Sequence, residues 1–281
     1  MTIRLAIFDL YDQFPNKGLA SIQDIIARFA QREGLHIAVD VFDVRAKTEV
    51  PDLSYDLYIA TGGPGSPLDT EGSAWEAAYF KTLDALIAHN QNPNAIPKPI
   101  FMICHSFQLF CRQYGFGRVC PRKSESFGIY PTQRMPTSEG EPFLEGLSDP
   151  FWIADFRKFQ VLDLNQTQLD SWGGKLLCME KSRPHIDLPP AVMALRFSDW
   201  IFGTQFHPEA DPEGMIYWFN EEEKKQAIIA EHGQEKYDDM LTHLYDTDKL
   251  AMTFETILPA FLRISTQHIL QSHDSVRSSS L

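Results

Sequence analysis

Cys104 lies at the point where a buried strand passes into a helix, in the sequence Phe101-Met-Ile-Cys-His-Ser-Phe-Gln108. A cysteine on such a strand-to-helix turn stands above the sheet, and the positive end of the helix favours the reactive thiolate. The commoner fate of a free cysteine is to be one more buried core residue. Cys111, Cys120 and Cys178 lack this context, so we predict packing or surface positions for them.

A second motif, Gly203-Thr-Gln-Phe-His-Pro-Glu209, ends the last predicted strand. Its histidine, His207, could take the proton of a thiol and later give one to a leaving amine, and Glu209 could orient the imidazole. The two side chains point to the same side, because they lie two residues apart on an extended segment. By itself, a His-Pro-Glu sequence is more often a surface turn.

A third motif, Thr61-Gly-Gly-Pro-Gly-Ser-Pro67, directly follows an apolar strand. Glycines such as Gly62, Gly63 and Gly65 at the carboxyl end of a parallel strand leave backbone N–H groups free to point at a ligand, as in an oxyanion hole. The motif lacks the Gly-Lys-Ser/Thr of a phosphate-binding loop. Taken alone, it is more often an ordinary Gly/Pro turn.

The elements that would position these motifs alternate along the first part of the chain. Apolar runs predict a strand at 3–10, a helix capped by Ser21 and stopped by Gly34, strands at 36–44 and 57–61, a helix at 75–90, and a strand at 99–104 that enters a helix ending near Gly115. Such alternation predicts a parallel sheet with helices on both faces. Short strands follow from 120 to 206.

The chain after Glu209 has a different character. Asp211-Pro212 predicts a helix start, and apolar residues at helical spacing continue to Leu262, with a kink or break expected at Pro259. We therefore predict one domain at 1–210, a helical extension at 211–270 that packs on it or lies at an interface, and a flexible tail at 271–281. The stretch from Asp211 to the end holds 13 acidic and six basic residues.

Composition excludes several classes of protein. The chain of 281 residues is 43% hydrophobic and 22% charged, which is typical of a globular protein. No apolar run approaches the length of a membrane span, and a net charge of −13 disfavours nucleic acid and anionic membranes as partners. The first residues do not resemble a secretory signal, so we predict a cytoplasmic protein with reduced thiols. No Cys or His spacing resembles a zinc site, and we predict neither a metal nor a cofactor.

Taken in chain order, the three motifs resemble the class I glutamine amidotransferase family, and in particular the amidotransferase domain of GMP synthase. The resemblance runs from about Ile3 to Glu209. It implies an α/β fold with a flavodoxin-like, open, mostly parallel sheet, to which this chain adds its C-terminal helical extension. It also implies that Cys104 attacks the side-chain amide of glutamine, that His207 is general base and acid, and that Glu209 orients His207.

The resemblance implies further roles near the cysteine. Backbone N–H groups near Gly63, within the loop Gly62, Gly63, Pro64 and Gly65, and the N–H group of His105 would hold the oxyanion, while Gln108 would shape the glutamine pocket. The implied steps form a γ-glutamyl thioester and release ammonia and glutamate. The implied partners are glutamine or a γ-glutamyl amide and a separate synthetase or acceptor protein, and association of identical chains through the C-terminal helices is a further expectation.

The sequence departs from the family pattern beside the cysteine. Family members have glycine two residues before and two after it, where this chain has Met102 and Ser106. Ser106 is a mild change, whereas Met102 must find room by displacing something, which would alter the pocket depth or the pose of Cys104. Two alternatives therefore stay open: a non-catalytic or regulatory member, and a PfpI-like hydrolase, in which Cys-His pairs also occur. From His105 we expect only the backbone N–H to contribute.

Overall fold

The computed structural model describes residues 2–181, 183 and 187–278. Within these residues, nine strands form one mixed sheet. The strands are β1 Thr2–Asp9, β2 His36–Asp43, β3 Leu57–Ala60, β4 Ile100–Ile103, β5 Arg118–Arg134, β6 Phe151–Leu162, β7 Lys175–Glu180, β8 Val192–Ser198 and β9 Ile201–Thr204. The α-helices are α1 Gly18–Glu33, α2 Val44–Lys47, α3 Ala74–Asn90, α4 His105–Gln113, α5 Gln166–Ser171, α6 Pro212–Asn220, α7 Glu222–His232, α8 Gln234–Leu244 and α9 Leu250–Ser278.

The sheet has a parallel half and an antiparallel half. Its strand order is β2-β1-β3-β4-β9-β8-β7-β5-β6. The first five strands in that order pair in parallel, and every later pairing is antiparallel. The predicted α/β fold is confirmed, with the flavodoxin-like arrangement in the parallel half. Because the parallel strands share one direction, their carboxyl ends lie along one edge of the sheet.

Strands β3 and β4 and residues 5–8 of β1 are apolar without interruption, because both of their faces are buried. Along β1, Ile7 belongs to a core shared with α1 and α9, whereas Phe8 belongs to a second core shared with α3 and α4. Successive side chains of a strand point to opposite faces, so an apolar run without interruption is what a doubly covered strand requires. The helices on both faces follow from that requirement.

The helical extension divides between two surfaces of the sheet. Helices α6, α7 and α8 cover one face of the β5–β6 ribbon, where Ile129 and Ala154 form a core with Tyr237 and Met240. Helix α9 instead belongs to the core that also holds β1 and α1. Among the helices of the described residues, none is both long and apolar enough to cross a membrane.

Helix boundaries agree with the sequence at some points and differ at others. Gly34 ends α1 in the left-handed conformation, with φ of 65°, as predicted. Asp211 caps α6 and Pro212 is its first residue, also as predicted. The prediction that Ser21 caps the first helix is wrong, because α1 begins at Gly18 and Ser21 lies inside it. The Ser21 hydroxyl instead donates a hydrogen bond to the backbone oxygen of Glu209 at 2.5 Å.

Helix α9 passes through Pro259 without a break. Phe254 and Leu258 before the proline, and Phe261 after it, are all buried in the same core. The free energy gained by burying these side chains offsets the cost of the helical hydrogen bond that proline cannot make. The helix also continues to Ser278, into the segment for which the sequence predicts a flexible tail, and residues 279–281 lie outside the described part of the chain.

We expect Phe261→Ala to lower the free energy of unfolding by about 3–5 kcal/mol, because it removes a fully buried ring from the core. The Phe261 ring lies 5.3 Å from that of Phe101 on β4 and 6.1 Å from that of Phe202 on β9, measured between centroids. The matched control is Met252→Ala on the exposed side of α9, for which a change within about 0.5 kcal/mol is expected. Urea denaturation measures both, and equal effects would show that α9 is not part of the core.

Candidate active site

Cys104 is held in a strained backbone conformation between β4 and α4. Its φ is 49° and its ψ is −93°, values that residues other than glycine seldom adopt. The Cys104 N–H donates to the Thr204 oxygen at 2.7 Å, and the Cys104 oxygen accepts from the Gln108 N–H at 3.0 Å. The neighbouring strand β9 and the first turn of α4 therefore fix the turn from both sides. The Cys104 residue is only 6% exposed.

Ser106 joins this turn to the next strand. Its hydroxyl oxygen accepts from the Ile103 N–H at 2.8 Å and donates to the Ala60 oxygen at 2.9 Å. Ser106 is fully buried, and a glycine at this position would leave the Ile103 N–H and the Ala60 oxygen without these bonds. The serine at a family glycine position thus adds hydrogen bonds that hold β3 and β4 together beside Cys104.

Met102 is accommodated by small residues on both adjacent strands. It lies in register with Ala60 on β3 and with Gly203 on β9. Its side chain is fully buried in the core on the α3 and α4 side of the sheet. At Gly203 a β-carbon would come within 2.7 Å of the Phe107 ring, so a larger residue there would collide with the core. Met102 therefore occupies a row in which its two neighbours carry little or no side chain.

His207 and Glu209 meet beyond the end of β9. The His207 Nδ1 lies 2.8 Å from Glu209 Oε1. The His207 backbone N–H donates to the Ala154 oxygen on β6 at 3.1 Å, which sets the direction of this segment. Glu209 is buried, and its Oε1 also accepts from the Tyr11 hydroxyl at 3.5 Å. The Glu209 Oε2 has no hydrogen-bond partner among the residues that the structure describes.

The charges around His207 favour its protonated form. Burial alone lowers the pKa of an imidazole, but the Glu209 carboxylate and then the Cys104 sulfur raise the pKa of His207 well above its ordinary value of 6.5. The hydrogen bond between the His207 ring and the Glu209 carboxylate acts in the same direction. The arrangement therefore favours the imidazolium form of His207.

The Gly62–Gly65 loop lies against both His207 and Cys104. A β-carbon on Gly62 would be 2.9 Å from His207 Cε1 and 3.7 Å from Cys104 Cβ, so Gly62 lies against both residues. A β-carbon on Gly63 would be 2.3 Å from the Leu10 backbone oxygen. Gly65 has a φ of 86°, in the left-handed region. Glycine is thus required at Gly62 and Gly63 by close approach and favoured at Gly65 by conformation.

His105 and Gln108 extend from the same turn of α4. The His105 ring is buried, and burial together with the charges of Arg45 and Arg112 lowers its pKa to about 3. Its Nε2 finds no hydrogen-bond partner within the described structure. Gln108 Nε2 donates to Gln205 Oε1 at 3.1 Å. The Gln108 amide is thus held by a second glutamine.

Several contacts in this region come from residues that the sequence did not single out. Gln205 Nε2 lies 3.6 Å from Cys104 Sγ, although Gln205 is part of the His207 motif. Tyr11 follows β1 and Arg45 lies just after β2, so both sit at carboxyl ends of parallel strands. That position is the one signal that could have identified them. No group of three or more His, Cys, Asp or Glu side chains suited to a metal ion occurs in the described ranges 2–181, 183 and 187–278.

A sequence profile described as "Glutamine amidotransferase class-I" matches residues 17–222, which is more than half of the chain. The chain belongs to the class I glutamine amidotransferase family. This membership confirms the resemblance on which the sequence prediction rested. No curated protein matches the sequence.

Solved structures share the fold of this family member at low sequence identity. A glutamine amidotransferase from Thermotoga maritima is 14% identical with a TM-score of 0.66, and the match covers 94% of this chain and 97% of that chain. A putative GMP synthase subunit from Thermoplasma acidophilum is 17% identical over 94% and 97%, with a TM-score of 0.50. The glutaminase domain of Trypanosoma brucei CTPS, with bound acivicin, is 15% identical over 74% and 86%, also with a TM-score of 0.50.

We expect Glu209→Gln to lower the pKa of His207, because it removes the largest influence that raises it. The pKa of His207 in the folded protein lies above its ordinary value of 6.5. The imidazolium therefore stabilises the folded state fully below pH 6.5, and this stabilisation is lost as the pH rises through the folded-state pKa. An NMR titration of the ring nitrogens measures the change. His243, more distant on α8, is the internal control and should titrate unchanged. A His207 titration that does not move in the variant would contradict the pairing.

Proposed function

We propose that the protein hydrolyses the side-chain amide of glutamine, or a related γ-glutamyl amide, through Cys104, His207 and Glu209. The observation that carries the proposal is the convergence of these three side chains from two strand ends. His207 Nδ1 contacts Glu209 Oε1 at 2.8 Å, and a β-carbon on Gly62 would lie near both the His207 ring and Cys104 Cβ. A nucleophile, a base and an orienting acid in this order are what acyl transfer from an amide requires.

The first half of the reaction forms a thioester. The Cys104 thiolate gives an electron pair to the amide carbon, and the carbonyl electrons move onto oxygen. As the oxyanion collapses, the carbon–nitrogen bond breaks and the His207 imidazolium gives its proton to the leaving nitrogen. Ammonia departs, and a γ-glutamyl thioester with a neutral His207 remains.

The second half hydrolyses the thioester. Neutral His207 takes a proton from water, and the resulting hydroxide attacks the thioester carbon. The carbon–sulfur bond breaks, the product leaves with its γ-carboxyl group protonated and gives that proton to water to become glutamate, and the thiolate and imidazolium are restored. Glu209 keeps the ring oriented and stabilises its positive charge throughout, without itself taking a proton.

Backbone donors complete the proposed site. The N–H groups of Gly63 and His105 would hold the oxyanion, since both lie in segments that adjoin Cys104. In this proposal Gly62, which lies against His207 and Cys104, and its neighbours Pro64 and Gly65 complete the loop that binds the substrate. Gln108 would shape the substrate pocket through its hydrogen bond to Gln205, whose amide lies beside the Cys104 sulfur.

We further propose that the ammonia passes to a separate synthetase or acceptor protein. The similar structure from Thermoplasma acidophilum is described as a subunit of a putative GMP synthase, which supports an arrangement in which the amidotransferase is its own chain. The acceptor of the nitrogen would then belong to that partner.

A non-catalytic or regulatory member is the competing function. The low exposure of Cys104 and the methionine at a family glycine position favour it. The PfpI-like alternative depends on the His105 ring as a reactive group. That ring is buried with a pKa of about 3, under the influence of Arg45 and Arg112, and this argues against its use as a base near neutral pH.

Exposure to a glutamine-like diazo-ketone should give a single covalent adduct on Cys104, detected by mass spectrometry. His207→Ala should abolish the adduct, and Cys104→Ser should lower glutamine hydrolysis by about 1000-fold or more. Cys120→Ala is the control, because Cys120 is the half-buried free thiol and should not matter. A folded wild-type protein that forms no adduct and releases no ammonia would favour the non-catalytic alternative.

A further inference from the structure

Side chains hold two backbone carbonyls of the loop 61–67 in fixed directions. The Thr61 hydroxyl donates to the Gly62 oxygen at 2.8 Å. The Arg45 Nη1 donates to the Pro64 oxygen at 2.6 Å. We refer to Thr61 and Arg45 as the carbonyl clamp. The two carbonyls belong to Gly62 and Pro64, so one unclamped peptide unit lies between the two that the carbonyl clamp holds.

Both clamp residues are themselves anchored to the end of β1. The Leu10 N–H donates to the Thr61 hydroxyl at 2.9 Å, and Arg45 Nη1 also donates to the Leu10 oxygen at 3.3 Å. Arg45 additionally pairs with Asp12 at 3.5 Å and lies over the Trp75 ring. Thr61 is fully buried. These contacts leave the hydroxyl and the guanidinium little freedom to move.

Peptide geometry turns a fixed carbonyl into a fixed donor. In a planar trans peptide the C=O group and the following N–H group point in opposite directions. The bond from Thr61 to the Gly62 oxygen therefore directs the Gly63 N–H away from the Thr61 hydroxyl. In the same way, the bond from Arg45 directs the Gly65 N–H away from the guanidinium.

The loop needs such a constraint because it is rich in glycine. A glycine backbone samples both signs of φ with little steric penalty, so a peptide unit between glycines can rotate. A rotation that turned the Gly63 N–H away from the reacting carbonyl would remove an oxyanion donor. Pre-organised donors stabilise a transition state because no reorganisation is left to occur during the reaction.

We propose that Thr61 and Arg45 are positioning residues: Thr61 holds the N–H group of Gly63 toward the substrate oxyanion, and Arg45 fixes the Pro64–Gly65 peptide unit so that the loop keeps this conformation. This inference rests on the proposed function. It explains how the oxyanion loop would be oriented for that reaction. Neither Thr61 nor Arg45 needs to touch the substrate in this role.

The first test compares Thr61→Val with Thr61→Ser. Valine keeps the shape but loses the hydroxyl, and we expect kcat for glutamine hydrolysis to fall about 10- to 100-fold with KM little changed. Serine keeps the hydroxyl and should restore most of kcat. Thr82→Val is the matched control, because the Thr82 hydroxyl donates to the Ala78 oxygen inside α3, away from the loop. Its kcat should equal that of the wild type.

A second readout separates orientation from a general loss of structure. Iodoacetamide alkylates Cys104 by displacing iodide at a saturated carbon, a reaction in which no oxyanion forms. Thr61→Val should therefore keep the wild-type alkylation rate while losing amide hydrolysis. Equal losses in both reactions would show a damaged nucleophile and overturn the inference, as would an unchanged kcat.

Arg45→Met and Arg45→Lys provide an independent pair in case the buried threonine cannot be replaced without unfolding. Methionine should lower kcat about 10-fold with an unchanged alkylation rate, and lysine, which keeps one donor and the charge, should recover part of it. A wild-type kcat in Arg45→Met overturns the role of Arg45. A wild-type protein that forms no Cys104 adduct and no ammonia instead overturns the proposed function itself, which distinguishes the two failures.

Discussion

The buried carboxylate of Glu209 is the group on which the arrangement of the site depends. A carboxylate that is removed from water must be paired, since an unpaired buried charge is costly. Glu209 meets this requirement with the His207 ring and the Tyr11 hydroxyl, while its backbone oxygen accepts from Ser21 in α1. One residue therefore ties the histidine to the first strand and the first helix. The same pairing raises the pKa of His207.

The parallel strands bring distant parts of the chain to this carboxylate. Tyr11 follows β1, the glycine loop follows β3, Cys104 follows β4, and His207 follows β9. These segments are adjacent only because β1, β3, β4 and β9 are consecutive in the sheet and run in the same direction. Ligands of open α/β sheets bind outside the carboxyl ends of the strands for this reason. The antiparallel half contributes through Ala154, whose oxygen receives the His207 N–H.

The parts of this structure that the sequence predicts are those encoded by contiguous residues. The cap at Asp211, the stop at Gly34 and the three motifs are local, so short-range chemistry identifies them. Tyr11 and Arg45 could not be found in that way, because their contacts depend on which strand ends become neighbours in space. The two wrong predictions have a similar origin. Helix α9 continues through Pro259 because residues before and after the proline are buried in the core. Ser21 lies inside α1, where its hydroxyl bonds to the Glu209 backbone oxygen. Tertiary contacts outweigh local preference at both positions.

Met102 has a consequence that reaches beyond its own strand. One row across three strands holds Ala60, Met102 and Gly203, and it lies in the same core as Phe107. The room that Met102 needs in this row is provided by its small neighbours on β3 and β9. Replacing Met102 by glycine would open a void that a larger residue at 60 could fill, whereas a β-carbon at 203 would meet the Phe107 ring. Positions 60 and 102 are therefore expected to vary as a pair, with glycine kept at 203 and the backbone under Cys104 left in place.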